Sequence, residues 1–173
     1  MKRAVERIRA GRAVERGTVQ TVFGYKPYDE VRRLGLRAET ETAVRAAFGA
    51  GTGMIVVKEV VPGGPAATKL APGDVVVRVG GRLVNSVIPI EAALDEAVGG
   101  QVEIEVERGG RSVRLEIDVQ DLHAISPASY LEYGGGVVNP LSYHEARNAS
   151  VPVGGVYVAS AGYSLARAGI PRR

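Results

Sequence analysis

The sequence has no cysteine and no tryptophan, and only two phenylalanines among its 173 residues. Without cysteine there are no disulfides and no thiolate metal sites. The two histidines, His123 and His144, stand far apart and form no zinc pattern. So few large rings leave little surface on which nucleic-acid bases can stack. No apolar run approaches the roughly 20 residues of a membrane-spanning helix. The opening MKRAVERIRAGRAVERG lacks the apolar stretch of a secretory signal. The net charge of +3 is carried largely by arginines near the two ends, a weak pointer to nucleic acid. The glycine-rich turns have no phosphate-loop or dinucleotide context and read as turns. No cofactor, metal, membrane or nucleic-acid partner is therefore expected. What is present is ordinary globular material, 45% hydrophobic, enough for one domain or one plus a fragment.

The chain is organised around residues 52–74, TGMIVVKEVVPGGPAATKLAPGD. Residues 54–61 form a near-continuous apolar run rich in β-branched side chains, which suits a strand buried on both faces. Residues 62–65 are a turn cluster, and residues 66–70 are long enough for a helical turn or two. Pro72-Gly73-Asp74 then turns the chain into another buried strand, residues 75–79.

This stretch resembles the centre of a PDZ domain of the HtrA (Deg) protease type, through GMIVVKEVVPGGPAA and LAPGDVVVRVGGRLV. The resemblance implies a mainly β fold with short helices. It would be a circularly permuted PDZ domain, a small, partly open β-barrel or sandwich of five to six strands. In such domains the strand after an Arg-Gly turn begins with the loop that holds a peptide's terminal carboxylate. Here that segment is RGTVQTVF. Converging backbone N–H groups form an anion nest there. The family usually has glycine at the position of Gln20, so this side chain bears on how open the nest is. The resemblance therefore implies a peptide-binding set of Gly17, Thr18, Val19, Gln20, Thr21 and Val22, facing a helix that carries Ile90, Leu94 and Ala97. It implies no catalytic residue in this sequence, because a Gly-Asn-Ser-Gly-type serine loop is missing.

Residues 1–14 read as a linker helix, with Val5 and Ile8 on one face. Residues 28–34 read as a helix closed by Gly35, and residues 40–48 as a second helix with Thr40 at its N-cap. That extra helix narrows the resemblance to the duplicated, nuclear-type fungal proteases and their chloroplast Deg relatives. These carry segments much like RGTVQTVFGYKPYDEVRRLGL and VQDLHAISP. They favour an intracellular setting: nucleus, cytoplasm or chloroplast. Ser86 is placed to cap a helix with Pro89 in its first turn. Ile90, Leu94 and Ala97 then fall at i, i+4 and i+7, a spacing that suits a groove wall or a core face equally. Residues 101–119 alternate as a hairpin about Gly109-Gly110, pairing Val106 with Val113, Ile104 with Leu115 and Val102 with Ile117.

Asp121, His123 and Ser126 invite a triad reading, but Ser126 precedes a proline in a connector without a nucleophile elbow. Beyond this point the first half repeats. YHEAR at 143–147 echoes YDEVR at 28–32, and GVYVA at 155–159 echoes GMIVV at 53–57. The resemblance makes Gly134-Gly135-Gly136 the loop of a second PDZ-like segment. The expected organisation is a PDZ domain over 15–121, then a connector and an incomplete second segment over 122–173. The second segment is expected to pack Val156, Val158, Leu165 and Ile170 on the first or on another copy of the chain. The expected function is binding of protein C-termini or extended peptides by strand addition. The binder would be the substrate-binding or regulatory part of an HtrA-like serine protease, with the parent's protease domain and a homo-oligomer as further partners. The alternative is a structural interaction domain whose groove is filled by its own chain, with the helix at 40–48 as a candidate occluder.

Overall fold

The computed structural model describes residues 2–11, 13–49 and 51–170. Helix α1 (Lys2–Arg9) leads into β1 (Gly17–Thr18), β2 (Thr21–Pro27), α2 (Tyr28–Arg33) and α3 (Ala38–Phe48). Strands β3 (Gly53–Val60), β4 (Val75–Val79) and β5 (Arg82–Leu83) precede α4 (Val87–Glu96). The first unit closes with β6 (Gln101–Arg108), β7 (Arg111–Asp118) and β8 (Gln120–Asp121). The second unit holds β9 (Leu131–Tyr133), β10 (Gly136–Pro140), α5 (Tyr143–Ala149), β11 (Val156–Ser160) and α6 (Gly162–Arg167). Met1 and Arg12 of the expected linker helix lie outside the described residues. The apolar face of α1 is uncovered, with Val5 and Ile8 both exposed.

The main sheet runs β2-β3-β4-β6-β7, with β5 paired to β4, and all its pairings are antiparallel. It stays open rather than closing into a barrel, since β2 and β7 stand at its two ends and do not pair with each other. The alternation of β6 and β7 sets their register as read from the sequence, with Val106 opposite Val113 and Ile104 opposite Leu115.

Strands β3 and β4 are buried on both faces. Ile55, Val57 and Val76 point into the larger core with Ile90, Leu94, Ile104 and Ile117. Met54, Val56, Val75 and Val77 point the other way, against Tyr28, Val31, Leu36 and Val44 of α2 and α3. Helix α2 ends as the sequence suggests. Gly35 takes φ +104, and the Leu36 N–H reaches back to the Val31 carbonyl at 3.0 Å.

Three local expectations are corrected. Residues 66–70 form turns, not a helix; the Leu70 N–H bonds the Ala66 carbonyl at 2.9 Å and the motif stops there. The six residues between Pro65 and Pro72 are too few to offset helix nucleation. Helix α3 begins at Ala38, with Arg37 in the cap position, so Thr40 lies inside it. Fully buried Glu107 of β6 serves this helix start instead. It accepts from the Arg37 N–H and Nε at 2.7 Å each, and from the Thr40 hydroxyl. Ser86 does stand in the N-cap position of α4, but its side chain makes no capping bond.

The second unit repeats the strand, helix, strand order. Pro140 of β10 pairs with Val156 as Pro27 of β2 pairs with Gly53. Its contact with the first unit differs from expectation. Val156 is 71% exposed and Ile170 40%. The joint is made by Tyr143 and Ala146 of α5 on Val61, ringed by Leu122, Ile125, Leu141 and Val153. Among the described residues no further strand pairs with β11 beyond β10.

A candidate peptide cleft between β2 and α4

The cleft is built from its buried end outwards. At Arg16 and Gly17 the chain is tied down on two sides. Gly17 N–H donates to Asp95 Oδ1 at 2.8 Å, and the Arg16 guanidinium reaches Asp95 at 3.3 Å and Glu91 at 3.5 Å. On the other side, β1 pairs with β8, and the Leu122 N–H bonds the Arg16 carbonyl at 2.7 Å. A side chain at Gly17 has no room, since its Cβ would lie 2.1 Å from the Leu94 carbonyl oxygen. Glycine here lets the backbone of β1 rest directly on α4.

Gln20 follows in the left-handed region, at φ +55. That conformation explains why glycine suits this position. In an L-residue it costs about 1–2 kcal/mol. The Gln20 side chain is 4% exposed and turns away from the cleft, donating from Nε2 to Gln120 Oε1 at 2.7 Å. Its carbonyl accepts from the Val61 N–H at 3.0 Å. Its own N–H donates to the Thr18 hydroxyl at 3.0 Å. The loop thus fills part of its own nest.

From Thr21 onward β2 is a terminal strand, so one edge of its backbone has no strand partner among the described residues. Across from it stands α4. A cleft of about 250 Å³ lies between them, lined by Thr21, Val22 and Phe23 on one wall and Val87, Ile90, Glu91 and Leu94 on the other. Ile90 and Leu94 also belong to the core, so groove wall and core face are here one surface. The closed end is formed by Gly17, Thr18 and Val19 together with Leu122, Tyr143 and Arg147.

The cleft therefore brings together Gly17, Thr18, Val19, Thr21, Val22, Ile90 and Leu94. It leaves out Gln20, whose side chain points inward, and Ala97. Ala97 lines a separate hollow of about 450 Å³ on the far side of α4, with Pro89, Ala93 and Val102. At i+7 from Ile90 it sits just past the last helical residue, Glu96, where the backbone has left the helix. Tyr143 and Arg147 escaped sequence reasoning, because the repeat shows that α5 exists and not which surface it meets. Burial raises the pKa of the Tyr143 hydroxyl, and nearby Arg147 offsets part of that rise. Extra helix α3 packs on the opposite face of the sheet and does not approach the cleft. The Ser126 hydroxyl donates to the Leu122 carbonyl at 2.7 Å.

A family model described as a PDZ domain matches residues 32–119 of this architecture. The chain belongs to the PDZ family. A second model, described as a PDZ-like domain, matches residues 124–172, so both units carry the PDZ pattern. The first matched span includes α4 but not residues 17–23, the other wall of the cleft. Protease Do-like 7 of Arabidopsis thaliana is 52% identical over 160 residues, covering 92% of this chain and 15% of that protein. Pro-apoptotic serine protease nma111 of Aspergillus fumigatus is 46% identical over 163 residues, covering 94% of this chain and 16% of that protein. The chain thus corresponds to the PDZ region of these Deg/HtrA-type proteases and to a small part of their length. Among solved structures, the HtrA-type protease AlgW with a decapeptide matches at a TM-score of 0.52 and 25% identity. That match covers 70% of this chain and 35% of that one.

Proposed function

We propose that the first PDZ unit, over residues 15–121, binds the ends of extended peptides by strand addition to β2. Main-chain hydrogen bonds to the free edge of β2 supply affinity, and the apolar wall at Val87, Ile90 and Leu94 selects side chains. The observation that carries this reading is the unpaired edge of a terminal strand facing an apolar helix across a cleft. The similarity to an HtrA-type protease seen with a decapeptide supports it. The parent is then an HtrA-like serine endopeptidase of an intracellular compartment. In it the module presents substrate to the protease domain or relays occupancy, alone or in a homo-oligomer.

The test is a library of free-acid decapeptides titrated into isotopically labelled protein. Binders with an apolar last residue are expected at micromolar affinity, roughly −8 kcal/mol. Backbone shifts should concentrate at Thr21, Val22, Phe23, Ile90 and Leu94. Shifts confined to other surfaces, or a library without binders, would overturn the reading.

One observation favours a second reading, a structural interaction domain. Tyr143 and Arg147 already stand at the closed end of the cleft, and the Thr18 hydroxyl already takes the Gln20 N–H. The cleft would then be a joint between the two units. The same titration separates the two, because a joint yields no peptide binder.

A further inference from the structure

The repeat gives Arg147 a counterpart. YDEVR at 28–32 aligns with YHEAR at 143–147, so Arg32 and Arg147 hold equivalent places on α2 and α5. In the first unit Arg32 is neutralised. Its Nε and Nη2 donate to the two carboxylate oxygens of Glu41 on α3, at 2.7 and 2.5 Å. The second unit has no helix between α5 and β11, hence no Glu41. Among the described residues Arg147 has no carboxylate partner. Its guanidinium stands 6.0 Å from the Tyr143 ring centroid and donates a long bond, 3.4 Å, to the Asn148 side chain. The other guanidinium at this end of the cleft, Arg16, is held by Glu91 and Asp95. Arg147, which sits against the Tyr143 hydroxyl and the Asn148 side chain, is therefore the cation beside Gly17, Thr18 and Val19 that has no carboxylate partner among the described residues.

The ordinary anion site next to it is depleted. A nest binds a carboxylate through convergent backbone N–H groups. Here the Gln20 N–H is spent on Thr18, and Gln20 in place of glycine fixes that arrangement with its buried side chain. The geometry points to Arg147 of the second unit as the specificity-determining cation of the first unit's cleft, pairing with the carboxylate of a bound peptide. The inference rests on the peptide-groove reading and adds to it that the binding site is assembled from both units. A guanidinium takes a carboxylate through two parallel N–H bonds, which is the strong, oriented form of this contact. Such an anchor also makes peptide affinity depend on the docking of α5 through Tyr143 and Ala146.

The test uses the tightest free-acid decapeptide from the library, its C-terminal amide, and the amide carrying aspartate as its last residue. Each is titrated into the whole chain and into Arg147→Gln, Arg147→Met and Arg147→Lys. Methionine keeps an apolar stem over the Tyr143 ring, so it covers the case in which glutamine loosens α5. In wild type the acid should bind about tenfold tighter than the amide. Glutamine and methionine should lower acid affinity by about that factor, leave the amide unchanged and erase the preference. Lysine should keep most of it. An aspartate amide that regains affinity in wild type alone supports the same anchor and names a side-chain carboxylate as the source. An acid preference unaltered in both neutral variants would overturn the role of Arg147 while the groove reading stands. Absence of binding by all three peptides to wild type would overturn both.

Discussion

Tyr28 and Tyr143 open equivalent helices, and both rings are buried, 4% and 8% exposed. Their surroundings are different. Tyr28 lies in a core closed by α3 and the two-faced strands β3 and β4, with Arg45 stacked 3.9 Å from its ring centroid. Tyr143 lies at a joint, against Val61 of the other unit. The first unit completes its pattern internally, and the second completes it by leaning on the first. The same local sequence thus serves as core in one copy and as interface in the other. The difference comes from the segment on the C-terminal side of each helix. In the first unit it holds the eleven residues of α3, with an acid for the arginine; in the second it is a short loop to the next strand.

The largest contrast should appear on removal of buried volume. Ile104 is fully buried in the first unit, while Leu165 of α6 is only half-buried. Ile104→Ala should cost about 2–5 kcal/mol and Leu165→Ala less than about 1 kcal/mol, both read from urea unfolding. Equal costs would mean that the second unit has a core of its own. Next comes the joint. Tyr143→Ala should weaken docking of the second unit by about 3 kcal/mol. Hydrogen exchange at Val156–Ser160 should accelerate while Ile55, Val56 and Val57 keep their protection. In wild type, too, β11 should open well below the global unfolding free energy. Protection of β11 equal to that of β3 would break the comparison and make the two units one cooperative fold.

Much of this arrangement is legible in the sequence where one physical rule dominates. The hairpin of β6 and β7 comes from alternation, the buried character of β3 and β4 from β-branched runs, and the second unit from repetition. The illegible parts are those where a long-range neighbour decides. Glu107 alternates as a surface residue would, yet it is fully buried, because α3 covers that face and lends it three donors. Asp74 reads as a turn residue, and it is buried under a two-bond pair with Arg108. Ala97 continues the spacing of Ile90 and Leu94, but the helix has ended by then. For the cleft, the wall and the loop are readable from the resemblance. The end piece from α5 is not, because an interface between units leaves no periodicity of its own.

A smaller effect tests the closed end of the cleft. Gln20→Ala and Gln20→Gly both delete the bond to Gln120, so they differ chiefly in tolerance of φ +55. The glycine variant should be the more stable by about 1 kcal/mol in urea unfolding. Equal stability would show that the loop relaxes out of the left-handed region once the side chain is gone. The segment would then not be held by its own backbone.

The smallest effect concerns acid, and it belongs to the first unit alone. The hydrogen bond from Arg32 holds the Glu41 carboxyl below its ordinary value of 4.5; burial works against this, and a second bond from Arg45 reinforces it. A carboxyl whose pKa is depressed on folding contributes stability that is fully present above its unfolded value. The contribution is lost as pH falls through 4.5 toward the lower folded value. Glu41→Gln should therefore flatten the loss of stability between about pH 5 and pH 3. The change should be small and should shrink further in high salt, because both arginines are about half exposed and their attraction is screened. Hydrogen exchange locates it: on acidification, the amides of α3 should open earlier than those of β6 in wild type, and α5, which has no acid partner at Arg147, should show no matching step. Superimposable acid profiles for wild type and Glu41→Gln would mean that the pair contributes nothing to stability. Apolar packing through Val44 would then account for the docking of α3, and Arg32 and Arg147 would differ less than their surroundings imply.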